Sequence, residues 1–511
     1  MFKRAVTKRS YLRQLIQRRQ SNVPQPSSNT QPHFAVGIQF SKQRLQDFGE
    51  LPRGEIPEAL NSSPASNLTK LSNEVRVFTE NYPQGSTTVS VFVKAGSRFE
   101  TIDTSGSSHF VQHLIQKGPA SLSREDFNAK IQALGTHIQT IPGREIVGFS
   151  MTVLPEDAPA ALSLLLDSVS APNLDANQIE AEKELVYRKI LDVSRDQFEH
   201  ISESVFYTSF RDHIIGQSKY GIRDNIPHLT KQAIEDFHKN NFAGENIVVV
   251  ATGNVNHQQI AEVADKHTKS LNAKSTATPV NTDKPLLTGS VMFHRDDEMA
   301  NLNVGVAFLA PSYGHPDYFG FKFFEKIVGN FNANEDGFAH LNSAHKQYNY
   351  MHRNLGEMTG VNLQQTKYEG FSDVGVMTGL VHGNDVWGKQ LMYVNQHMLS
   401  WYAHNLNQAE IFRARARVFN ELLSTQASKD LNHEIAKELF YIGRRIPRTE
   451  FALRLSNLSD EKYLQKFALK WFYDKDIGVA IWGPGHNIIS GAYYDRRFLT
   501  STKADVLNMA M

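Results

Sequence analysis

His109-Phe-Val-Gln112-His113 decides how this chain is read. Two histidines four residues apart fall on one face of a helix and can share one Zn²⁺. In an H-x-x-E-H arrangement the residue before the second histidine is a glutamate that activates a zinc-bound water. Here that residue is Gln112. An amide has no proton that titrates near neutral pH, so it cannot act as a general base. Histidines so spaced also occur as plain packing residues on a helix. The stretch therefore carries the outline of a hydrolytic site without the group that would do the hydrolysis.

Working outward, strand and helix signals flank the motif on both sides. Residues 87–95 alternate and are rich in valine and serine, which predicts a strand leading into a helix over 108–116. An amphipathic stretch over 124–134 stops at Gly135. Residues 136–140 and 146–153 flank Pro142-Gly143 as a hairpin. Helical patterns follow over 155–168 and 176–193. A buried strand is expected over 247–251, ending near Gly253. Residues 272–289 are a linker by composition. Beyond it the order repeats: a strand over 303–309, a polar turn, a helix over 321–328, and a closing strand over 478–483 that ends in a glycine. The period is too long for a solenoid, so two duplicated domains are expected, 71–271 and 290–511. Strand, turn and helix also follow one another in many unrelated α/β chains, and the linker's position is what favours duplication.

The chain has 511 residues, 40% of them hydrophobic and 21% charged. That length suits two domains, and that composition suits a globular chain. It has no cysteine, which excludes disulfides, thiolate metal sites and haem attached through C-x-x-C-H. No apolar run reaches membrane-spanning length, so membrane association is expected only through partners. Residues 1–20 hold seven basic side chains (Lys3, Arg4, Lys8, Arg9, Arg13, Arg18 and Arg19), and the first acid is Asp47. Apolar residues are interleaved with them, the composition of a mitochondrial presequence. A basic nucleic-acid-binding arm has similar charge. Set those seven aside from the 54 Lys and Arg, and the rest carries a net charge of −6 against 53 Asp and Glu. Such a body argues against nucleic acid as a partner. Residues 21–70, with Ser21-Asn-Val-Pro-Gln-Pro-Ser-Ser28, read as an extended lead-in.

Several stretches together carry a family resemblance. They are Val93-Lys-Ala-Gly-Ser-Arg98, then Gly106-Ser-Ser-His-Phe-Val-Gln-His-Leu-Ile-Gln-Lys-Gly118, then the acidic helix Ile179-Glu-Ala-Glu-Lys-Glu-Leu-Val-Tyr-Arg-Lys-Ile190, and Ile442-Gly-Arg-Arg-Ile-Pro447. The chain resembles the M16 inverted-zincin metallopeptidases, in the branch of mitochondrial processing peptidases and cytochrome bc1 core proteins. The likeness runs over about 74–488. It implies an α+β fold of two homologous domains, each a largely antiparallel sheet packed with helices. It also implies a third zinc ligand, a glutamate supplied by the acidic helix. Counted without gaps, that place holds Lys189. Ammonium–Zn²⁺ repulsion at about 4 Å and an effective dielectric of about 20 is on the order of 8 kcal/mol. Glu182 matches a second family glutamate seven residues earlier, about 10 Å away along the helix. It is expected either to support the site from outside the ligand shell or to lie on a solvated face. Phe371 aligns with a substrate-contacting tyrosine of the family, and Tyr368 is nearby.

The expected site is therefore a degenerate one made of His109, Gln112, His113, Glu182 and Lys189, with no catalytic residue, no bound metal and no cofactor. The noncatalytic alpha-type processing subunits carry a glycine-rich loop, whereas residues 329–339 hold isolated glycines only. The resemblance then implies a core 1-like subunit of complex III, peripheral on the matrix side of the mitochondrial inner membrane. Its implied partners are a core 2-like (alpha-type) M16 subunit, cytochrome b, cytochrome c1, the Rieske protein and the small subunits. The alternatives are a processing peptidase beta subunit that cleaves presequences, and a pseudoenzyme that binds them.

Overall fold

The computed structural model describes residues 48–83, 85–211, 213–277, 283–332 and 361–485. The expected presequence, the first part of the lead-in, the centre of the linker and residues 333–339 lie outside the described residues. Twelve strands are described: β1 (Ser66–Lys70), β2 (Arg76–Asn81), β3 (Thr87–Val93), β4 (Gln139–Ile141), β5 (Val147–Val153), β6 (Ile247–Gly253), β7 (Ser290–Arg295), β8 (Asn301–Ala310), β9 (Phe331–Asn332), β10 (Val361–Gly370), β11 (Gly375–Asn384) and β12 (Ile477–Gly483). Thirteen α-helices accompany them: α1 (Ser107–Ile115), α2 (Arg124–Ala133), α3 (Ala158–Ser170), α4 (Ala176–Arg195), α5 (Gln197–Ser209), α6 (Lys231–Asn241), α7 (His257–Thr268), α8 (Tyr318–Val328), α9 (Gly388–Asn405), α10 (Gln408–Ser424), α11 (Lys429–Tyr441), α12 (Arg448–Ser456) and α13 (Glu461–Trp471).

The strands form two six-stranded sheets, ordered β1-β2-β6-β3-β5-β4 and β7-β12-β8-β11-β10-β9. In each sheet the only parallel pair joins an early strand to the half's last one: β2 with β6, and β7 with β12. The other neighbours are antiparallel. The topologies superpose as β2-β6-β3-β5-β4 on β7-β12-β8-β11-β10, so the repeat read in the sequence is a repeat of topology. The fold is α+β.

Strand β3 shows why the sequence pattern misleads in one respect. Val89, Val91 and Val93 enter the first half's core, as alternation demands. The opposite face carries Thr88, Ser90 and Phe92, and every residue of β3 is buried. Helix α11 from the second half covers it. Asn432 of α11 donates from its amide to the Thr88 carbonyl oxygen (3.0 Å) and to Ser90 Oγ (2.8 Å), and accepts from Thr252 Oγ1 (2.7 Å). The first half answers in kind. Ile201, Val205 and Phe206 of α5 pack on Ala307, Val376, Leu380 and Ala480 of the second sheet. A side chain at Gly305 would collide with Val205, its Cβ meeting Cγ2 at 2.2 Å, so glycine there lets α5 sit close to the sheet. Each half thus lends one helix to the other's sheet.

The lead-in departs from expectation. Residues 66–70 are a paired edge strand rather than a free extended arm. Phe48 is buried in the second half's core, with its ring centroid 4.9 Å from that of Phe319. The Arg454 guanidinium donates to the Phe48 and Gly49 carbonyl oxygens at 2.9 and 3.0 Å. Polar composition conceals this because the anchor is one aromatic ring plus backbone carbonyls.

Candidate functional site: a self-paired histidine cluster

The chain leaves β3 through a short 3-10 turn, Ser97–Phe99, and enters α1 at Gly106, whose φ of 107° is a left-handed conformation suited to glycine. Glu100 caps this helix. Its carboxylate accepts from the Ser108 N–H at 2.6 Å and the Gly106 N–H at 3.0 Å. Burial pushes its carboxyl up to about 8 against the pull of those donors. Phe110, Val111, Leu114 and Ile115 anchor α1 in the core, which holds Gln112 and His113 toward α4.

His113 is buried, and its Nε2 lies 2.7 Å from Glu182 Oε2. Its Nδ1 lies 2.8 Å from Lys189 Nζ. An ammonium can only donate, so Nδ1 is the accepting nitrogen and Nε2 carries the proton given to Glu182. Burial, then the Lys189 and Lys117 cations, push His113 down to about 4 although Glu182 pulls the other way. His109 packs edge-on against Tyr220, with ring centroids 5.4 Å apart. Neither of its ring nitrogens has a hydrogen-bond partner, and burial, aided by Lys189, pushes it down to about 3. Gln112 turns back along its own helix and donates to Ser108 Oγ at 3.2 Å.

Glu182 supports the site by holding His113, rather than lying on a solvated face. It is buried and accepts from three sides: His113, Lys117 Nζ at 3.2 Å and Arg124 Nη1 at 3.2 Å. Burial raises its carboxyl, but His113 and Lys117 outweigh that and hold it below its ordinary value. The distance along α4 between positions 182 and 189 misleads because both side chains converge on opposite edges of one imidazole. Lys117 and Arg124 were missed in the sequence. Lys117 stands four residues after His113, the spacing that shares a helix face, so it was findable. Phe371 and Tyr368 do not line the cleft beside His113. Phe371 packs between the halves against Phe206, and Tyr368 donates its hydroxyl to the Pro311 carbonyl oxygen at 2.9 Å.

A catalytic zinc takes three protein ligands. In this arrangement His109 alone keeps an unengaged ring nitrogen. Both nitrogens of His113 are engaged, and Glu182 is saturated with donors. Among the described residues no group of three His, Cys, Asp or Glu side chains is placed to hold a metal. The residues present do not fit the zinc that the motif's outline implies.

Just upstream, Arg98 ties this corner to the second half. Its two terminal nitrogens grip Asp373 at 2.8 and 2.5 Å, and Nη1 also contacts Glu145. Glu145 in turn accepts from the Ser372 N–H at 3.0 Å and its hydroxyl at 2.6 Å.

Comparison with known proteins bears on the fold and family. Residues 76–221 match the model of the insulinase-type peptidase family M16, and residues 228–418 match that of the M16 inactive domain. The chain is 26% identical over 433 residues to cytochrome b-c1 complex subunit 1 of Bos taurus, covering 84% of this chain and 88% of that one. It is 28% identical over 425 residues to the mitochondrial-processing peptidase subunit beta of Neurospora crassa, covering 82% and 88%. A chain of Complex III2 from Candida albicans shares the fold at a TM-score of 0.69 and 18% identity, over 84% of this chain and 98% of that one. Two sheets of matching topology, an H-x-x-Q-H helix in the first and an inactive-type second half therefore have one common explanation: the chain belongs to peptidase family M16.

Proposed function

We propose that this chain is a non-catalytic, core 1-like subunit of the mitochondrial cytochrome bc1 complex, complex III. In this reading it supports assembly of the ubiquinol–cytochrome c reductase from the matrix side of the inner membrane. It pairs with a core 2-like M16 subunit and contacts cytochrome b, cytochrome c1, the Rieske protein and small subunits. Residues 1–20 are its presequence. The observation that carries the reading is Lys189 Nζ on His113 Nδ1: a tethered cation sits at the nitrogen a metal would need. Gln112 in place of the general base supports it independently. Relatives named for complex III supply the assembly. Among the described residues no helix is long and apolar enough to cross a membrane, in keeping with attachment through partners.

The rival reading, a processing peptidase beta subunit, is favoured by the relatives of that name. Against it stands the charge of the cleft beside His113, which Lys117, Arg124, Arg188 and Lys189 line with Asp192 as the only acid. A basic presequence is repelled there, which also weighs against presequence capture without cleavage. Native purification of the tagged chain decides between them. The proposal expects comigration with b- and c1-type haem absorbance and no chelator-sensitive cleavage of a basic presequence peptide. A soluble heterodimer with zinc-dependent cleavage, abolished by His109→Ala, refutes it.

A further inference from the structure

We infer that the cleft beside His113 binds a phosphate-type oxyanion, either free phosphate or a small phosphomonoester. This inference rests on the metal-free reading of the site. The cleft has a volume of about 560 Å³, within the range of small-molecule pockets. Four cations face it from three elements: Lys117 just beyond α1, Arg124 at the start of α2, and Arg188 and Lys189 on α4. Asp192 at the rim and Glu182 beneath are the acids set against them. Two charges of excess remain, in a concavity that focuses the field on a dianion.

The donors are there as well as the charge. Arg124 spends one of its five N–H groups on Glu182, through Nη1. Arg188 engages Glu184 through Nε at 2.7 Å, which leaves its two terminal nitrogens without a hydrogen-bond partner among the described residues. That pair is exposed, at 67% and 64%, and so contributes little to holding the arginine back. Lys189 donates one N–H to His113 Nδ1 and makes a long contact with Gln116 Oε1 at 3.5 Å. Planar, forked arginine donors suit phosphate oxygens, and ammonium groups add point charge. Substituting lysine for an anionic zinc ligand thus changes what the cleft attracts, from a cation to an anion.

The test is calorimetric titration of the full chain with inorganic phosphate in one arm and phenyl phosphate in the other, at low and physiological salt. One saturable site per chain is expected, weakening as salt rises. Arg124→Gln and Arg188→Gln should each weaken it about tenfold or more, the usual loss for a charged hydrogen bond. Lys231→Gln, a lysine on α6 that does not line the cleft, should leave it unchanged. Tighter binding of phenyl phosphate identifies the phosphomonoester as the ligand, and equal binding identifies free phosphate. If Arg124→Gln unfolds the chain, the exposed Arg188→Gln still reports. No saturable heat up to about 10 mM, or unaltered binding in both arginine variants, overturns the proposal. Zinc is measured on the same sample. A zinc-free chain that binds no phosphate overturns the anion site alone, whereas a chain holding one zinc overturns the metal-free reading beneath it.

Discussion

Lys189→Glu should turn this chain into a zinc binder. In the wild type the ammonium lies 2.8 Å from His113 Nδ1. A zinc on that nitrogen would sit at about 2.0–2.1 Å, so the two cannot share the lone pair. Were Lys189 to swing out to about 4 Å, the repulsion at an effective dielectric of about 20 would still be about 8 kcal/mol. Divided by about 1.4 kcal/mol per decade, that is roughly six powers of ten in Kd. Solvent around the mobile side chain trims it, so about a thousandfold gain is a conservative expectation for the variant. Glutamate removes the repulsion, frees Nδ1 and adds a third ligand to His109 and His113. The assay is metal analysis after dialysis against buffer with submicromolar free zinc. Less than a tenth of an equivalent is expected for the wild type and about one for Lys189→Glu. Gln112→Glu alone should gain neither zinc nor cleavage of a presequence peptide, because the ammonium remains. Stoichiometric zinc in the wild type, or Lys189→Glu binding no more tightly than the wild type, would refute the placement of Lys189 at the ligand position.

Three further outcomes follow from the geometry. His113 has a folded pKa of about 4, while an unfolded histidine titrates near 6.5, so the unfolded chain takes up the proton first. The stability it contributes is fully present above pH about 6.5 and is lost toward pH about 4, about 3 kcal/mol in all. His109 is shifted the same way, and urea midpoints should drop less between those pH values in His113→Asn than in the wild type. Asn432→Leu leaves the buried Thr252 hydroxyl without its acceptor between the halves, a loss of about 1–3 kcal/mol by urea unfolding. Phe48→Ala empties an aromatic slot beside Phe319 and Tyr318, so it should cost about 3 kcal/mol, measurable as a lowered urea midpoint.

Local pattern made much of the fold legible. The strands around 87–95, 146–153, 247–251 and 303–309 and the helices over 108–116, 176–193 and 321–328 all stand where alternation, helical spacing and glycine stops put them. What stayed hidden is long-range. Thr88 and Ser90 give no sign of their cover because nothing nearby in sequence announces Asn432, more than 300 residues on. Phe48 looks like part of a polar tail because its slot is built by α8 and by Arg454. At the site, the identity of Gln112 and Lys189 carried the reading, since each changes the chemistry of its position whatever surrounds it. Glu182 takes the supporting role, one of its two readings in the sequence; what the count along the helix did not show is that Lys189 closes on the same ring from the other side.

That convergence gives the site a charge balance that needs no metal. A buried carboxylate and two imidazoles arranged around an absent cation would leave Glu182 as an unpaired buried charge, an arrangement that costs several kcal/mol. The chain instead supplies the positive charge from within. Lys117 and Arg124 pair with Glu182, His113 donates its Nε2–H to the same carboxylate, and Lys189 occupies the remaining lone pair of His113. Gln112 alone would have silenced the chemistry while leaving a cation-shaped vacancy. Lysine at 189 puts a positive charge tethered to the chain at that place. The order in which the two substitutions matter is therefore opposite for activity and for structure: Gln112 removes the base that hydrolysis needs, and Lys189 lets the site stand without zinc.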